Sequence, residues 1–342
     1  MHLTKISLEA PYLLFLGDCP DMHHAKTGAG IAFWRPERCV GQMRLPACPV
    51  DLGLPEMTVS DAQGAGVRTA VIGVAPMGGR IPDVWLPLLS QLAAAGINIA
   101  AGLHTKLNDI PALVDAASKG GATLTDVRIP PPDIAIGKGR LRSGKRVLMV
   151  GTDCAVGKKY SALALHRELQ RRDIKTTFRA TGQTGIMIAG EGLPIDAVVA
   201  DFISGAAEAL SPDNDADHWD VIEGQGSLLN PSYSGVSLGL LHGSQPDAIV
   251  LCHDAERLEI DETGGDYPIP ELDEVIDDAL RMARRTRPTC FCAGVSINTS
   301  KMGDFERDNY LSKMQSDLGL PCVDPIATGM TPIANFLLKY AS

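Results

Sequence analysis

The sequence predicts an α/β protein of two domains, each built around a mostly parallel sheet. Short apolar segments alternate with helical patterns in two blocks of the chain, which is typical of parallel strands covered on both faces. Three consecutive prolines at 130–132 separate the blocks, because proline lacks an amide donor and fixes φ. A glycine-bounded loop at 151–158 joins a strand to a helix in the second block. We therefore expect one domain at 1–135 and another at 136–342.

The first block contains two clear strand patterns and two clear helix patterns. Uninterrupted apolar residues predict strands at 13–16 and 69–74. Apolar residues at helical spacing predict helices at 84–95 and 110–119. The segment 26–30 contains two glycines and a lysine, and we expect a flexible basic loop there. This order of elements is that expected of one small α/β domain.

The second block repeats the alternation and begins with the strand that leads into the glycine-bounded loop. Short apolar runs predict six strands, at 147–150, 176–180, 197–200, 221–222, 248–252 and 289–295. Helical spacing predicts four helices, at 160–172, 204–210, 272–285 and 305–318. Because parallel sheets bind ligands at the carboxyl ends of their strands, we expect the functional residues where these strands end.

Composition and charge narrow the class of protein. The chain has 342 residues, of which 45% are hydrophobic, and no run of about 18 apolar residues predicts a membrane span. The formal net charge of −10 argues against nonspecific binding to nucleic acid or to anionic lipid. The amino terminus lacks the pattern of a cleaved signal. We therefore expect neither nucleic acid nor a membrane as a partner.

The eight cysteines are scattered along the chain and form no C-x-x-C pair. Several of them lie within apolar, strand-like runs, as free core cysteines do. We therefore expect a cytoplasmic protein of a reducing compartment, with neither a disulfide framework nor a structural zinc site.

The glycine-bounded loop has the composition of a phosphate-binding loop. Its amides are expected to face a ligand, the following helix adds the positive end of its dipole, and Lys158 adds a full charge. We interpret Cys154 as a small side chain that fits the loop and not as a nucleophile. The expected ligand contacts are the loop and the first helical residues, namely Gly151, Thr152, Asp153, Cys154, Ala155, Val156, Gly157, Lys158, Lys159 and Tyr160.

The loop departs from the common P-loop pattern G-x4-GK-[ST] in two ways. Five residues separate Gly151 from Gly157, and Lys159 occupies the place of the hydroxyl residue that usually holds magnesium. Lys159 supplies a second positive charge instead. The loop is therefore predicted to bind a diphosphate through amides and charge, with no metal required.

Polar residues beside glycines follow several strands of the second block. Glu223 either orients a metal or acts as a general base. Arg179 either clamps a substrate carboxylate or forms a salt bridge at the sheet edge. Asn298 either reads the purine edge of a cofactor or is an ordinary turn residue. Gln183 and Gln225 lie in the same glycine-flanked segments and are candidate substrate contacts.

Two segments of the first block add candidates. Arg80 closes a glycine-rich segment that begins at residue 73 and ends one strand, and His104 lies in the segment 102–106, which ends another strand. An arginine can hold a carboxylate through two parallel hydrogen bonds, and an imidazole can accept a proton near neutral pH. Arg80 therefore joins the candidate substrate-binding residues, and His104 is the second candidate base after Glu223.

The loop resembles that of dethiobiotin synthetase and its P-loop relatives, and a fuller set of segments resembles one family. These segments are GVAPMGGRIP at 73–82, GLH at 102–104, DVRIPP at 126–131, RATGQTG at 179–185, DFISG at 201–205 and EGQG at 223–226. The family that they resemble is the DgcN-type D-glutamate N-acetyltransferases, long known only as a domain of unknown function. The resemblance covers nearly the whole chain and implies a Rossmann-like N-terminal domain followed by a P-loop domain.

The resemblance implies transfer of an acetyl group from acetyl-CoA to the amino group of D-glutamate, within D-amino acid catabolism. Coenzyme A carries a diphosphate, which suits a loop with two lysines and no magnesium-binding hydroxyl. In our hypothesis Glu223 or His104 accepts the ammonium proton, and Arg80 and Arg179 hold the substrate carboxylates.

Two alternatives stay open from the sequence. One is an ATP-dependent ligase or kinase of the dethiobiotin synthetase type, against which Lys159 argues. The other is a nucleotide or CoA sensor without turnover. The oligomeric state is open as well, and a homo-oligomer is one alternative, since exposed apolar stretches often mark a dimer face.

Overall fold

Two α/β units make up the part of the chain that the computed structural model describes, which is residues 6, 8–22, 24–74, 76, 79–261, 263 and 265–340. The N-terminal unit extends to Pro130 and also includes Gln183–Pro194. The C-terminal unit consists of Pro131–Gly182 and the chain from Ile195 onward. Three residues of the glycine-rich segment before Arg80 (75, 77 and 78) lie outside the described residues. No described helix is long and apolar enough to cross a membrane.

Eleven strands and eleven α-helices alternate along the described residues. The strands are β1 (Tyr12–Gly17), β2 (Cys39–Arg44), β3 (Thr69–Ile72), β4 (Asn98–Ala101), β5 (Leu124–Asp126), β6 (Lys145–Gly151), β7 (Thr176–Arg179), β8 (Trp219–Ile222), β9 (Ala248–Asp254), β10 (Phe291–Asn298) and β11 (Cys322–Val323). The helices are α1 (Lys26–Trp34), α2 (Val59–Gly64), α3 (Leu86–Ala94), α4 (Pro111–Gly120), α5 (Lys158–Arg171), α6 (Gln183–Ala189), α7 (Ile203–Leu210), α8 (Ser234–Ser244), α9 (Leu272–Ala283), α10 (Asp304–Leu318) and α11 (Thr331–Tyr340).

The N-terminal sheet has five parallel strands in the order β2-β1-β3-β4-β5. Every residue of β1 is buried, as expected of a strand covered on both faces. Phe15 packs edge-on against Trp85 in the core, with 5.5 Å between the ring centres. The strands and helices predicted in this block are confirmed, with boundaries that differ by a few residues.

The predicted loop at 26–30 is wrong, because these residues begin helix α1. Gly28 is buried in that helix, and its amide donates to the carbonyl oxygen of Gly73 at 2.8 Å. A Cβ on Gly28 would lie only 3.3 Å from the Cα of Gly73. Glycine here permits a close approach of the helix to the segment after β3, and does not indicate flexibility.

The C-terminal sheet has six parallel strands in the order β11-β10-β9-β6-β8-β7. β6 lies between β9 and β8, so the loop that follows it leaves from the middle of the sheet. Val147, Leu148 and Met149 are almost fully buried in this strand. The prediction of parallel α/β architecture is confirmed for both units.

The strand predicted at 197–200 is wrong. Short 3-10 turns form at Ile195–Ala197 and Ala200–Phe202, and Val199 between them is 67% exposed. Four apolar residues cannot distinguish a buried strand from a turn by pattern alone. Seven other elements were not predicted, several of them short, namely β2, β5, β11, α2, α6, α8 and α11.

Candidate functional site

The loop between β6 and α5 has the open backbone of an anion-binding loop. β6 ends at Gly151, and Ala155 (φ 55°) and Gly157 (φ 101°) then adopt left-handed conformations before α5 begins. The amides of Val156 and Gly157 donate to no acceptor among the residues that the structure describes. Together with the positive end of α5, these donors suit a bound anion.

Lys158, the first residue of α5, is folded against the loop. Its side chain is buried, and Nζ donates to the carbonyl oxygen of Asp153 at 2.6 Å. A Cβ on Gly151 would lie 2.8 Å from the same Nζ, so glycine leaves the room that the ammonium group occupies. Burial lowers the pKa of Lys158, and nearby acidic groups oppose that effect. A bound anion would offset the cost of burying this charge.

Lys159 takes the place of the usual hydroxyl residue and is half-buried. Its Nζ lies 5.3 Å from the centre of the Tyr160 ring. Ser161 does not replace the lost hydroxyl, because its Oγ donates to the carbonyl oxygen of Gly157 and also contacts Oγ of Ser296 in the interior. Within the described residues, no group of three or more His, Cys, Asp or Glu side chains is arranged to hold a metal. The loop thus offers two lysines to an anion.

The carboxylate of Asp153 faces the interior and supports the loop. The side chain is fully buried, and it accepts hydrogen bonds from the amides of Cys154 (2.6 Å) and Asp261 (2.7 Å). It also accepts from Asn230 Nδ2 at 3.0 Å and from an Nη of Arg257 at 2.8 Å. Asp153 is one of the predicted ligand contacts, but these four donors leave only its backbone to meet a ligand.

Thr152 is likewise an interior residue. Its Oγ1 lies 3.1 Å from Nδ1 of His253 in β9, and its carbonyl oxygen accepts from Ser227 Oγ at 3.0 Å. Burial lowers the pKa of His253 to about 4, so the imidazole is neutral at physiological pH. The side chain of Thr152 therefore ties the loop to the neighbouring strand.

Glu223 follows β8 and is buried beside the loop. Its Oε2 accepts hydrogen bonds from the amides of Thr181 (2.9 Å) and Gly182 (3.1 Å). Burial raises the pKa of Glu223, while these amides and the charge of Lys159 oppose the increase. A buried carboxylate with a raised pKa is a candidate general base.

Glycine at position 224 brings Glu223 close to the loop. A Cβ on Gly224 would lie 1.7 Å from the carbonyl oxygen of Met149 in β6, and 2.9 Å from Cδ of Lys158. The next residue, Gln225, donates from Nε2 to Oγ1 of Thr181 at 3.0 Å. The end of β8, the loop and the turn at Thr181 therefore form one connected site.

Arg179 forms the salt bridge that sequence analysis named as its alternative role. Its Nε donates to Oδ1 of Asp220 at 2.8 Å, and both side chains are at least nine-tenths buried. Burial raises the pKa of Asp220, and the charge of Arg179 opposes that increase. The guanidinium group is engaged within the sheet and is poorly placed to clamp a substrate carboxylate.

Asn298 ends β10 opposite Asp254 of β9. Its Nδ2 donates to Oδ2 of Asp254 at 3.0 Å, and its Oδ1 accepts from the amide of Ser300 at 3.2 Å. Both ends of the amide therefore already have partners within the protein. The geometry favours the turn role, with purine recognition still a prediction.

The remaining three candidates belong to the N-terminal unit. Gln183 begins α6, and its side chain packs closely against Gly102. A Cβ on Gly102 would lie 2.1 Å from Oε1 of Gln183. His104 is exposed, with Nε2 2.8 Å from an Nη of Arg128. Arg80 is also exposed. Their proposed contacts with substrate stay predictions.

The predicted site residues do not include those whose side chains support the loop from the interior. These supporting residues are Ser227, Asn230, His253 and Arg257. His253, which directly follows the apolar run of β9, is a usable signal, because a buried polar side chain needs a partner. No local pattern marks Arg257, which lies 104 residues after the carboxylate that it contacts.

Family models match most of the chain. The model described as a Rossmann-like domain of unknown function, DUF1611_N, matches residues 38–130. The model described as a P-loop domain of unknown function, DUF1611_C, matches residues 133–334. A crystal structure of a DUF1611 family protein from Anabaena variabilis is 32% identical, with a TM-score of 0.87, and the match covers 98% of this chain and 100% of that one.

Two curated relatives are similar over almost their full length. A protein of Tritonibacter scottomollicae named D-glutamate N-acetyltransferase is 52% identical over 330 residues, which is 96% of this chain and 99% of the relative. A protein of Pseudoalteromonas with the same name is 44% identical over 329 residues, which is 96% of this chain and 98% of the relative.

Proposed function

We propose that this chain, which belongs to the DUF1611 family, is a D-glutamate N-acetyltransferase that uses acetyl-CoA as its acyl donor. The observation that carries the proposal is the shared name of two relatives that are 52% and 44% identical over nearly the whole chain. At such identity over such length, the fold and the site are expected to be retained. The resemblance in the glycine-flanked segments points to the same activity.

The loop between β6 and α5 is proposed to hold the diphosphate of acetyl-CoA. The amides of Val156 and Gly157 and the positive end of α5 supply hydrogen bonds and partial charge. Lys158 and Lys159 supply two full charges, which suits a diphosphate without a bridging magnesium ion. Binding there would fix the donor beside Glu223, so positioning would contribute much of the rate.

Glu223 is proposed as the general base. Acetyl-CoA supplies the acetyl group as a thioester, and the substrate must lose its ammonium proton before the nitrogen can attack. Both amide hydrogen bonds go to Oε2, so Oε1 is the oxygen proposed to accept the proton. The raised pKa of the carboxyl group brings its proton affinity closer to that of the substrate.

A thiol-release assay with acetyl-CoA and a panel of D- and L-amino acids tests the proposal. We expect thiol release with D-glutamate and little with L-glutamate or D-aspartate. Absence of release with D-glutamate would contradict it. Magnesium-dependent release of ADP from ATP with a carboxylate substrate would instead support the ligase alternative.

A further inference from the structure

A cluster of polar side chains is buried directly behind the loop. At its centre is the carboxylate of Asp153, which has no exposed surface and accepts four hydrogen bonds. Two of the donors are side chains, Asn230 and Arg257, and both come from segments that follow neighbouring strands. The chain thus places a buried anion, paired with a cation, three residues before the first of the two amides proposed to meet the diphosphate.

Arg257 is the charged member that holds the cluster together. The same Nη donates to Oδ2 of Asp153 at 2.8 Å and lies 3.3 Å from the carbonyl oxygen of Cys154. It also lies 3.2 Å from Oδ2 of Asp261, whose own amide donates to Asp153. One guanidinium group therefore contacts two consecutive residues of the loop and the segment that follows β9.

The loop backbone needs such support. Ala155 has a φ of 55°, an uncommon conformation for a residue with a Cβ, and Gly157 has a φ of 101°. Conformations of this kind persist where the surrounding structure fixes them. The contacts at Asp153 and Cys154 immediately precede these residues, and Lys158 fixes the other end by donating to the carbonyl oxygen of Asp153.

We propose that Arg257 is a positioning residue for acyl-donor binding and acts through the carboxylate of Asp153. The pair holds the loop in the shape that presents the amides of Val156 and Gly157. Neither side chain is a catalytic residue in this assignment. The proposal rests on the proposed function, because the anion at the loop is taken to be the diphosphate of acetyl-CoA.

Isothermal titration with coenzyme A, together with steady-state kinetics, tests the assignment. We expect Arg257→Met and Asp153→Asn each to raise the dissociation constant of coenzyme A by roughly 10- to 100-fold. At saturating acetyl-CoA, kcat and the KM for D-glutamate should change less than about threefold. The two side chains act as one unit, so their losses should not add. The dissociation constant of coenzyme A for the double variant should be at most about threefold higher than that for the weaker-binding single variant.

Arg172→Met is the matched control. Arg172 has an exposure similar to that of Arg257 and pairs with a carboxylate, Glu168, at the far end of α5. Its loss should lower thermal stability without changing coenzyme A binding. If Asp153→Asn does not fold, the comparison of Arg257→Lys with Arg257→Met decides, since lysine should restore part of the affinity.

Three outcomes would overturn the assignment. They are unchanged coenzyme A binding in Arg257→Met, independent losses that multiply in the double variant, and an equal loss of affinity in the Arg172→Met control. Failure of the proposed function is separately visible, because the wild-type protein would then neither bind coenzyme A nor release thiol with D-glutamate.

Discussion

At the scale of single residues, the proposed function depends most on Glu223 and Lys159. Burial of the Glu223 carboxylate raises its pKa, and the two amides that donate to it oppose part of that increase. Lys159 places a cation where the common loop places a hydroxyl. Each residue leads to a prediction that a purely structural role would not produce.

Glu223→Gln should lower kcat by about 10²- to 10³-fold with little change in the KM for acetyl-CoA. Glutamine keeps an oxygen for the two amides but cannot take the proton. Thiol release at saturating substrates measures the effect. Because the pKa of Glu223 is raised, the acid limb of kcat in the wild type should lie above the ordinary glutamate range, with activity lost as pH falls.

Glu208→Gln is the matched control for that variant. Glu208 also accepts hydrogen bonds from two consecutive amides, those of Lys138 and Gly139, away from the loop. The Glu208→Gln variant should retain the full kcat of the wild type. Equal activity of Glu223→Gln and the wild type at saturation would remove Glu223 from the role of base.

Chelation should leave the enzyme active. Because Lys159 replaces the hydroxyl that would hold magnesium, we expect EDTA to change kcat by less than the error of the thiol-release assay. Lys159→Thr, which restores the hydroxyl and removes the charge, should raise the KM for acetyl-CoA roughly tenfold. If EDTA abolished activity and magnesium restored it, the interpretation that Lys158 and Lys159 hold the diphosphate without a metal would be refuted.

At the scale of elements, the site depends on how closely β6, β8 and β9 approach one another. Gly224 allows the end of β8 to pass against the carbonyl oxygen of Met149 in β6. On the other side, Thr152 after β6 contacts His253 of β9. A substitution at either contact should therefore disturb the loop through the sheet.

Gly224→Ala should lower the free energy of unfolding by at least about 2 kcal/mol, because the new Cβ would lie 1.7 Å from a backbone oxygen. Gly235→Ala is the control, since a Cβ at that helical position meets no atom within 4 Å. Its stability should be unchanged or higher by up to about 1 kcal/mol. Urea unfolding measures both, and equal values would contradict the close-approach argument.

His253 should make the fold sensitive to acid. Its pKa falls from 6.5 to about 4 in the folded protein, so the unfolded chain binds the extra proton first as pH decreases. The stability from the neutral imidazole is present above pH 6.5 and should decline by roughly 3 kcal/mol by about pH 4. In His253→Gln, the free energy of unfolding should decline by roughly 3 kcal/mol less between pH 7 and pH 4 than in the wild type. Urea unfolding at each pH measures the difference. Parallel pH profiles would contradict the assignment.

The elements also show what a sequence pattern can and cannot predict. Strands β6 and β9 contain the apolar runs 147–150 and 248–252, and such runs are expected of strands buried on both faces, so both strands were predictable from the sequence. The pattern at 26–30 does not indicate helix α1 because Gly28 serves close packing, which local composition does not distinguish from a flexible loop. The short strand predicted at 197–200 failed because four residues carry too little periodicity.

At the scale of the whole molecule, the two α/β units and the position of the loop between β6 and α5 were predictable. The loop is a contiguous segment with a strand before it and a helix after it, so its signal is local. The network of Asp153 with Asn230 and Arg257 joins residues 77 and 104 positions apart, and no local pattern contains it. Gln183–Pro194 belongs to the N-terminal unit because of its tertiary contacts, which no local pattern of the sequence shows either.

A crystal structure of the protein with coenzyme A tests the central claim most directly. We expect the diphosphate at the turn between β6 and α5, hydrogen-bonded to the amides of Val156 and Gly157, with Lys158 and Lys159 beside it and no divalent ion. Coenzyme A bound at another surface, with this turn vacant, would contradict the account.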